Sequence, residues 1–278
     1  MARRTINGAT KRYVERFASR RIVSVTDDAK FLDSHLTYDG TNATATTVTL
    51  SGGTLWDHTE ILTLTASGSL FSAGDVGNAW VLRLGADSIR VTVRGYTSAT
   101  VVTVQASKNV PSSLRGVATA DWTRCADVMS GLGHLEGRTV SILADGNVHP
   151  PLVVTAGQVT LNRPYGVVHI GLPITSEIET LPLETVQGET LTDKKKRVNR
   201  VTVLLESSRG GFVGRPGATL REFKQRTGAS TDGEVPLVTG PEEINITTEW
   251  DQTGGVLVQQ TDPLPMTILA IVPSGLVA

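Results

Sequence analysis

Residues Val167 to Leu183 read VVHIGLPITSEIETLPL. Val167, Val168 and Ile170 form a short β-branched run closed by Gly171 and Pro173, the composition of a strand and its terminator. From Thr175 the residues Thr-Ser-Glu-Ile-Glu-Thr-Leu-Pro-Leu alternate polar and apolar, as a half-buried strand does. The segment therefore predicts a strand, a sharp bend and a second strand.

Upstream, residues 138–143 predict a strand, Ala144-Asp145-Gly146-Asn147 a hairpin turn, and residues 148–154 its return. Pro150 and Pro151 place that return near a sheet edge or a bulge, because proline donates no ladder hydrogen bond. Ala156-Gly157 turns a second hairpin, residues 152–155 against 158–161. Downstream, residues 199–206 predict a strand with Val201, Val203 and Leu205 on one face. Residues 207–217 are rich in turn formers, and 217–226 suit either a short helix or an irregular strand. Residues 243–250 and 255–260 predict a hairpin about 251–254, and residues 266–272 a last core strand pinned by Pro263, Pro265 and Pro273.

Composition agrees with an all-β chain. Among 278 residues 37 are Thr and 28 Gly, while charged residues make up only 19% and aromatics 5%. The net charge of −1 gives no global attraction to nucleic acid or to anionic membrane. Arginine outnumbers lysine 19 to 7, which favours multidentate pairing at interfaces. The single cysteine, Cys125, leaves no internal disulfide, and no long uncharged apolar window suggests membrane insertion. A soluble protein made in the cytoplasm is expected.

Near the amino terminus, Asn7-Gly8 between β-prone flanks predicts a hairpin over residues 2–17. Its strands carry Arg3, Arg4, Lys11, Arg12 and Arg16, followed by Arg20 and Arg21. Two readings stand: a solvated face, or a basic ribbon facing DNA or an acidic neighbouring subunit. Residues 25–29 suit a helical turn or a loop, with the adjacent carboxylates of Asp27 and Asp28 solvated. Residues 44–50 predict a strand. Residues 55–127 then carry their own periodicity, apolar runs at 61–64, 79–84, 88–93 and 100–105 separated by turns at 74–75, 85–87 and 95–98. That spacing suits a small meander or barrel inserted in a surface loop. The expected architecture is a β-sandwich or barrel-like main part, 1–54 plus 128–187, an inserted small β-barrel at 55–127, and a carboxyl-terminal β part at 188–278.

Catalytic and metal motifs are missing from the sequence. No Gly-Lys pair supports a phosphate loop, and the glycines of 210–217 read as a loop only. His35, His58, His134, His149 and His169 are scattered singly, without the Cys and His spacing of a zinc site. No Gly-x-Ser-x-Gly elbow occurs. Cys125 suits a nucleophile or, lacking a local motif, a small buried hydrophobe, and Glu177 and Glu179 suit a glycosidase acid pair, a calcium site or, more simply, one exposed strand face. Lys194, Lys195, Lys196 and Arg197 form a basic run suited to a solvated link or to an anionic partner. No cofactor and no enzymatic activity are expected.

Four stretches carry a resemblance: residues 130–154, 167–183, 194–214 and 250–273. Together they look like the carboxyl-terminal part of tail proteins of short-tailed phages, in the nozzle, tail-tube and DNA-stabilisation class. The resemblance implies a virion tail component and a homo-oligomeric ring, six-fold in that family. It further implies neighbours such as adaptor or portal proteins and fibres, and a passing contact with DNA. In the resembled proteins a large further region precedes the matching hairpin, so its first strand is expected to be covered by another chain. The insert looks like a small barrel that also occurs in ubiquitin-activating enzymes, a likeness of shape that implies no ubiquitin chemistry. The alternative is a carbohydrate-binding or fibre-attachment module at the tail periphery, presenting Trp56, Trp80, Tyr96 and Trp122 as stacking platforms.

Overall fold

In the computed structural model, which describes residues 2–6, 8–14, 16, 22, 24–186, 189–191, 193–223, 236–246 and 249–278, the organising stretch is two strands, Val167–Pro173 and Ser176–Glu179. The first is an inner strand of a four-stranded antiparallel sheet, ordered Asn147–Val153, Thr139–Ala144, Val167–Pro173, Leu32–Asp39. Its β-branched side chains are buried on both faces. Gly171 is required by close packing, since a Cβ there would lie 2.8 Å from the Asp33 carbonyl oxygen. His169 is accommodated in this interior by its partners: Nε2 lies 2.7 Å from the Thr26 carbonyl oxygen and Nδ1 2.8 Å from the Thr37 hydroxyl. A carbonyl only accepts, so Nε2 carries the proton.

Ser176–Glu179 differs from the expected half-buried strand, for all four residues are exposed. It is the outer strand of another sheet, ordered Ser176–Glu179, Leu257–Gln260, Phe212–Gly214, Arg221–Glu222. Asn147–Val153 is likewise an edge, and its ladder slips between Val140 and Ile142. Both sites that tolerate Pro150 and Pro151 are thus present. The turn before it has Asp145 at φ 48° and Gly146 at φ 72°, the left-handed pair of a type I′ hairpin.

The largest sheet has eight strands, ordered Gln158–Tyr165, Trp122–Ser130, Ala79–Leu84, Asp87–Ser98, Val101–Ala106, Ile61–Ala66, Val48–Ser51, Ala118–Thr119. Its last member runs almost directly into Trp122–Ser130, so the sheet curls back on itself without a continuous closing ladder. Asn42 and Trp122 hold the seam, the amide donating to the Ala120 carbonyl at 2.8 Å and the indole N–H to the Thr46 carbonyl at 2.9 Å. The expected turn at 95–98 is instead irregular strand, with register shifts beside Gly95 and Tyr96, and the chain reverses between Ser98 and Val101.

Two segments of this chain are copies of one arrangement. The first comprises Ile61–Ala66, a 3₁₀ turn at Ala73–Asp75, the hairpin Ala79–Leu84 and Asp87–Ser98, and Val101–Ala106. The second comprises Trp122–Ser130, a 3₁₀ turn at Gly133–Leu135, the hairpin Thr139–Ala144 and Asn147–Val153, and Gln158–Tyr165. Gly77 N–H donates to Val93 and Val93 N–H to Asn78, just as Gly137 donates to Val154 and Val154 to Arg138. The turn bonds Asp75 to Ser72 and Asn78 to Asp75 recur as Leu135 to Leu132 and Arg138 to Leu135. One residue offset relates Ser72 to Leu132, Asp75 to Leu135, Gly77 to Gly137 and Leu82 to Ile142.

Each copy encloses its own apolar cluster. The first gathers Val48, Leu50, Leu62, Leu64, Trp80 and Leu82 among others, so it shares its core with the strand that leads into it. The second gathers Met129, Leu135, Ile142, Val168 and Ile170. Burying each such side chain contributes about 1.5–3 kcal/mol.

In the carboxyl-terminal part, Lys196–Ser208 runs between Val238–Asn245 and Thr267–Val277. Val201, Val203 and Leu205 are buried on one face, as their alternation predicts. The hairpin expected from 243–250 and 255–260 does not form. Val238–Asn245 pairs with Lys196–Ser208, while Leu257–Gln260 pairs with Ser176–Glu179 and Phe212–Gly214. Asp251 turns the chain between them, its Oδ1 accepting the N–H groups of Thr253 and Gly254 at 2.8 and 2.6 Å. The hairpin expected from 152–155 and 158–161 is reduced to its turn, because Gln158–Tyr165 pairs with Trp122–Ser130. Pro273 lies inside the last strand, opposite Val201, rather than at its end. The expected ambiguity over 217–226 resolves at Arg221–Glu222 into a short strand; residues 224–226 lie outside the described residues. Among the described residues, no helix is long and apolar enough to cross a membrane.

Candidate functional site

The amino-terminal ribbon pairs Ala2–Ile6 with Ala9–Tyr13. This register sets Arg3 opposite Arg12 and Arg4 opposite Lys11. Like charges directly opposed across a ladder destabilise it by about 0.2–1 kcal/mol per pair, so the ribbon is a surface that an anionic partner would stabilise. Arg4 is tied down by Asp33, Nη2 to Oδ1 at 2.7 Å, whereas Arg3, Lys11, Arg12 and Arg16 are exposed. Asn7, Arg20 and Arg21 lie outside the described residues.

The second basic run does not act as a unit. Lys196 is 2% exposed, and its Nζ donates to the Gln252 carbonyl at 2.6 Å. Its backbone bridges to Asp251. Lys196 is therefore a structural residue, correcting its place among the contact candidates, while Lys195 and Arg197 remain exposed and Lys194 half-buried.

The four aromatic candidates are likewise divided. Trp80 and Trp122 are 0% and 5% exposed and belong to the first core. Trp80 packs edge-on against Phe71 with ring centroids 5.4 Å apart. Trp56 is half-buried against the same core with the Arg115 guanidinium 5.7 Å from its ring centroid, leaving Tyr96 exposed. A four-ring stacking platform does not assemble.

Cys125 is buried, and burial pushes its thiol up to about 11 despite the Arg90 guanidinium beside it. A thiol so poised is protonated at neutral pH and is a poor nucleophile. Glu177 accepts a hydrogen bond from Gln259 at 2.5 Å. Among the described residues, no group of three or more His, Cys, Asp or Glu side chains is placed to hold a metal ion.

What the sequence reading missed is a recess of about 480 Å³ at the junction of the two copies. Arg83, Arg90, Lys108 and Arg163 line it, with Asp145 as its carboxylate. In the hairpin Ala79–Leu84 and Asp87–Ser98, Arg83 stands opposite Ser88 and Val81 opposite Arg90. Those four residues share the face turned away from Trp80, Leu82, Ile89 and Val91. That half of the wall was legible as the polar half of an alternation; Lys108 and Arg163 arrive from distant segments.

A scan against protein-family models finds no match to this chain, and a comparison with curated proteins finds no relative.

Proposed function

We propose that the chain is a structural component of a short phage tail, of the nozzle or tail-tube class, which joins copies of itself into an axial ring around the DNA conduit and catalyses no reaction. The four resembling stretches support this reading. In the fold one observation carries it: Thr267–Val277 is the outer strand of its sheet and bears no charged residue along its 11 positions. It exposes Leu269, Val272, Leu276 and Val277, with Val272 at 56% and Leu276 at 58%. A long, uncharged, apolar edge presents unpaired N–H and C=O groups that favour pairing with another chain. Contacts of that kind, repeated head to tail about a rotation axis, close a ring.

On the same reading the basic ribbon faces DNA in the lumen or an acidic neighbour. Adaptor or portal proteins and fibres flank the ring in the virion. Mass photometry of the purified chain tests the assembly. The unaltered chain is expected as a ring-sized oligomer, and the Val272→Asp/Leu276→Asp variant as single subunits with an unchanged circular-dichroism spectrum. An unaltered chain that stays monomeric at its highest soluble concentration contradicts the reading.

A further inference from the structure

Polar groups make up more of the wall of the recess between the two copies than apolar ones. Among the described residues, Arg83, Arg90, Lys108 and Arg163 line it together with Asp145. Asp145 is already engaged, its Oδ1 accepting the N–H groups of Gly166 and Val167 at 2.9 and 2.8 Å. The guanidinium groups are held in place by the fold. Arg83 Nη1 donates to the Thr123 hydroxyl at 2.9 Å and lies 3.6 Å from Asp121. Arg90 donates to the Pro164 carbonyl and to the Cys125 sulfur. Arg163 lies over the Tyr165 ring, 4.8 Å from its centroid. Arginine carries five N–H donors in a fixed fork, so the contacts of Arg83 and Arg90 anchor each group while leaving donors for a ligand. Held in this way, such forks suit multidentate recognition of an oxyanion.

Size and lining narrow the ligand. About 480 Å³ lies within the range of small-molecule sites, roughly 300–1,000 Å³, and exceeds what a bare phosphate fills. Hydroxyls of Ser88, Ser107 and Thr41 stand on the same wall. Among the described residues, Val81 and Val167 supply its larger apolar side chains. We propose that this recess binds a small phosphorylated sugar, the cations taking the phosphate and the Ser and Thr hydroxyls the sugar hydroxyls. The site needs no assembled ring, so it stands or falls apart from the assembly reading.

Isothermal titration of the full chain with glucose 6-phosphate, glucose, inorganic phosphate and a single-stranded DNA oligonucleotide tests this. Glucose 6-phosphate is expected to bind, more tightly than inorganic phosphate, and glucose to give no heat. Lys108→Glu reverses an exposed charge on the recess wall and is expected to weaken glucose 6-phosphate at least about tenfold without changing Tm. Arg163→Gln serves as a second variant, so that a folding failure in the first leaves the test intact. Four results overturn the proposal: no binding of glucose 6-phosphate, equal binding of glucose or of inorganic phosphate, affinity unchanged in both variants, or binding of the oligonucleotide without the sugar phosphate. The last would assign the recess to nucleic acid instead.

Discussion

Asp75 and Arg124 meet at 2.5 Å, the carboxylate 1% exposed and the guanidinium 43%. The pair ties the 3₁₀ turn of the first copy to Trp122–Ser130, the first strand of the second. Ser72 completes it, donating its N–H at 2.7 Å and its hydroxyl at 3.0 Å to the same carboxylate. In the second copy Leu135 answers to Asp75, and Leu172, next to Gly171 opposite Ser141, takes the place beside Val140 that Arg124 holds opposite Trp80; both leucines pack in an apolar cluster. One architecture thus holds the same joint by an ion pair in one copy and by hydrocarbon in the other.

Removing one partner of a buried pair strands the other, whereas replacing both by apolar groups is often neutral. Asp75→Ala is expected to lower stability by about 2 kcal/mol, a value reduced because Arg124 reaches solvent. Asp75→Leu with Arg124→Leu, which copies the second joint, is expected to recover most of that loss. Urea denaturation of the three proteins checks it, and a double variant less stable than Asp75→Ala would refute the equivalence.

Local signals were the legible ones. Asp145-Gly146 turns where its conformational preferences place a turn, Gly157 marks the next turn although Ala156 before it stands at φ 53°, and Val201, Val203 and Leu205 share a buried face. Pairings set by distant partners were not legible. Leu257–Gln260 is claimed by Ser176–Glu179 and Phe212–Gly214, so its neighbourhood in sequence misleads. The duplication escaped because its copies share spacing and backbone bonds more than side chains: Asp75 answers to Leu135 and Trp80 to Val140. The charge of Lys196 marks it for a surface, but its long stem lets the ammonium reach the Gln252 carbonyl from a buried position. The recess draws on segments from Ser24 to Val167, and no local motif marks it.

Cys125 gives a chemical test of burial. With its thiol pushed up to about 11, the native protein is expected to resist a thiol-specific disulfide reagent at pH 8 and to react once denatured. The raised value also means that ionisation favours the unfolded chain as pH rises through the ordinary thiol value of 9.0. Rapid labelling of the native state would contradict the buried placement.

His35 gives a test in acid. Burial first, and then the charge of Lys30, lowers its proton affinity in the fold. The unfolded chain therefore binds more protons below the ordinary imidazole value of 6.5, and stability is lost as pH falls through that value toward the lower folded one. Tm is expected to fall between pH 7.5 and pH 5, and His35→Gln to flatten part of that fall. An unchanged slope in the variant would remove His35 from the account.

Arg3 and Arg12 oppose each other across the amino-terminal ladder. Arg12→Glu turns repulsion into attraction and is expected to gain about 0.2–1 kcal/mol locally. It is also expected to weaken retention on a heparin column, read as elution at lower salt. Elution at unchanged salt would assign the ribbon to a solvated face.

The most direct test of the tail-ring account is a cryo-electron microscopic reconstruction of phage particles released from cells that produce this chain. The account predicts density for this fold in an axial ring along the DNA conduit, with Thr267–Val277 at the boundary between neighbouring subunits. Density on peripheral appendages, or a particle lacking this fold, would contradict it.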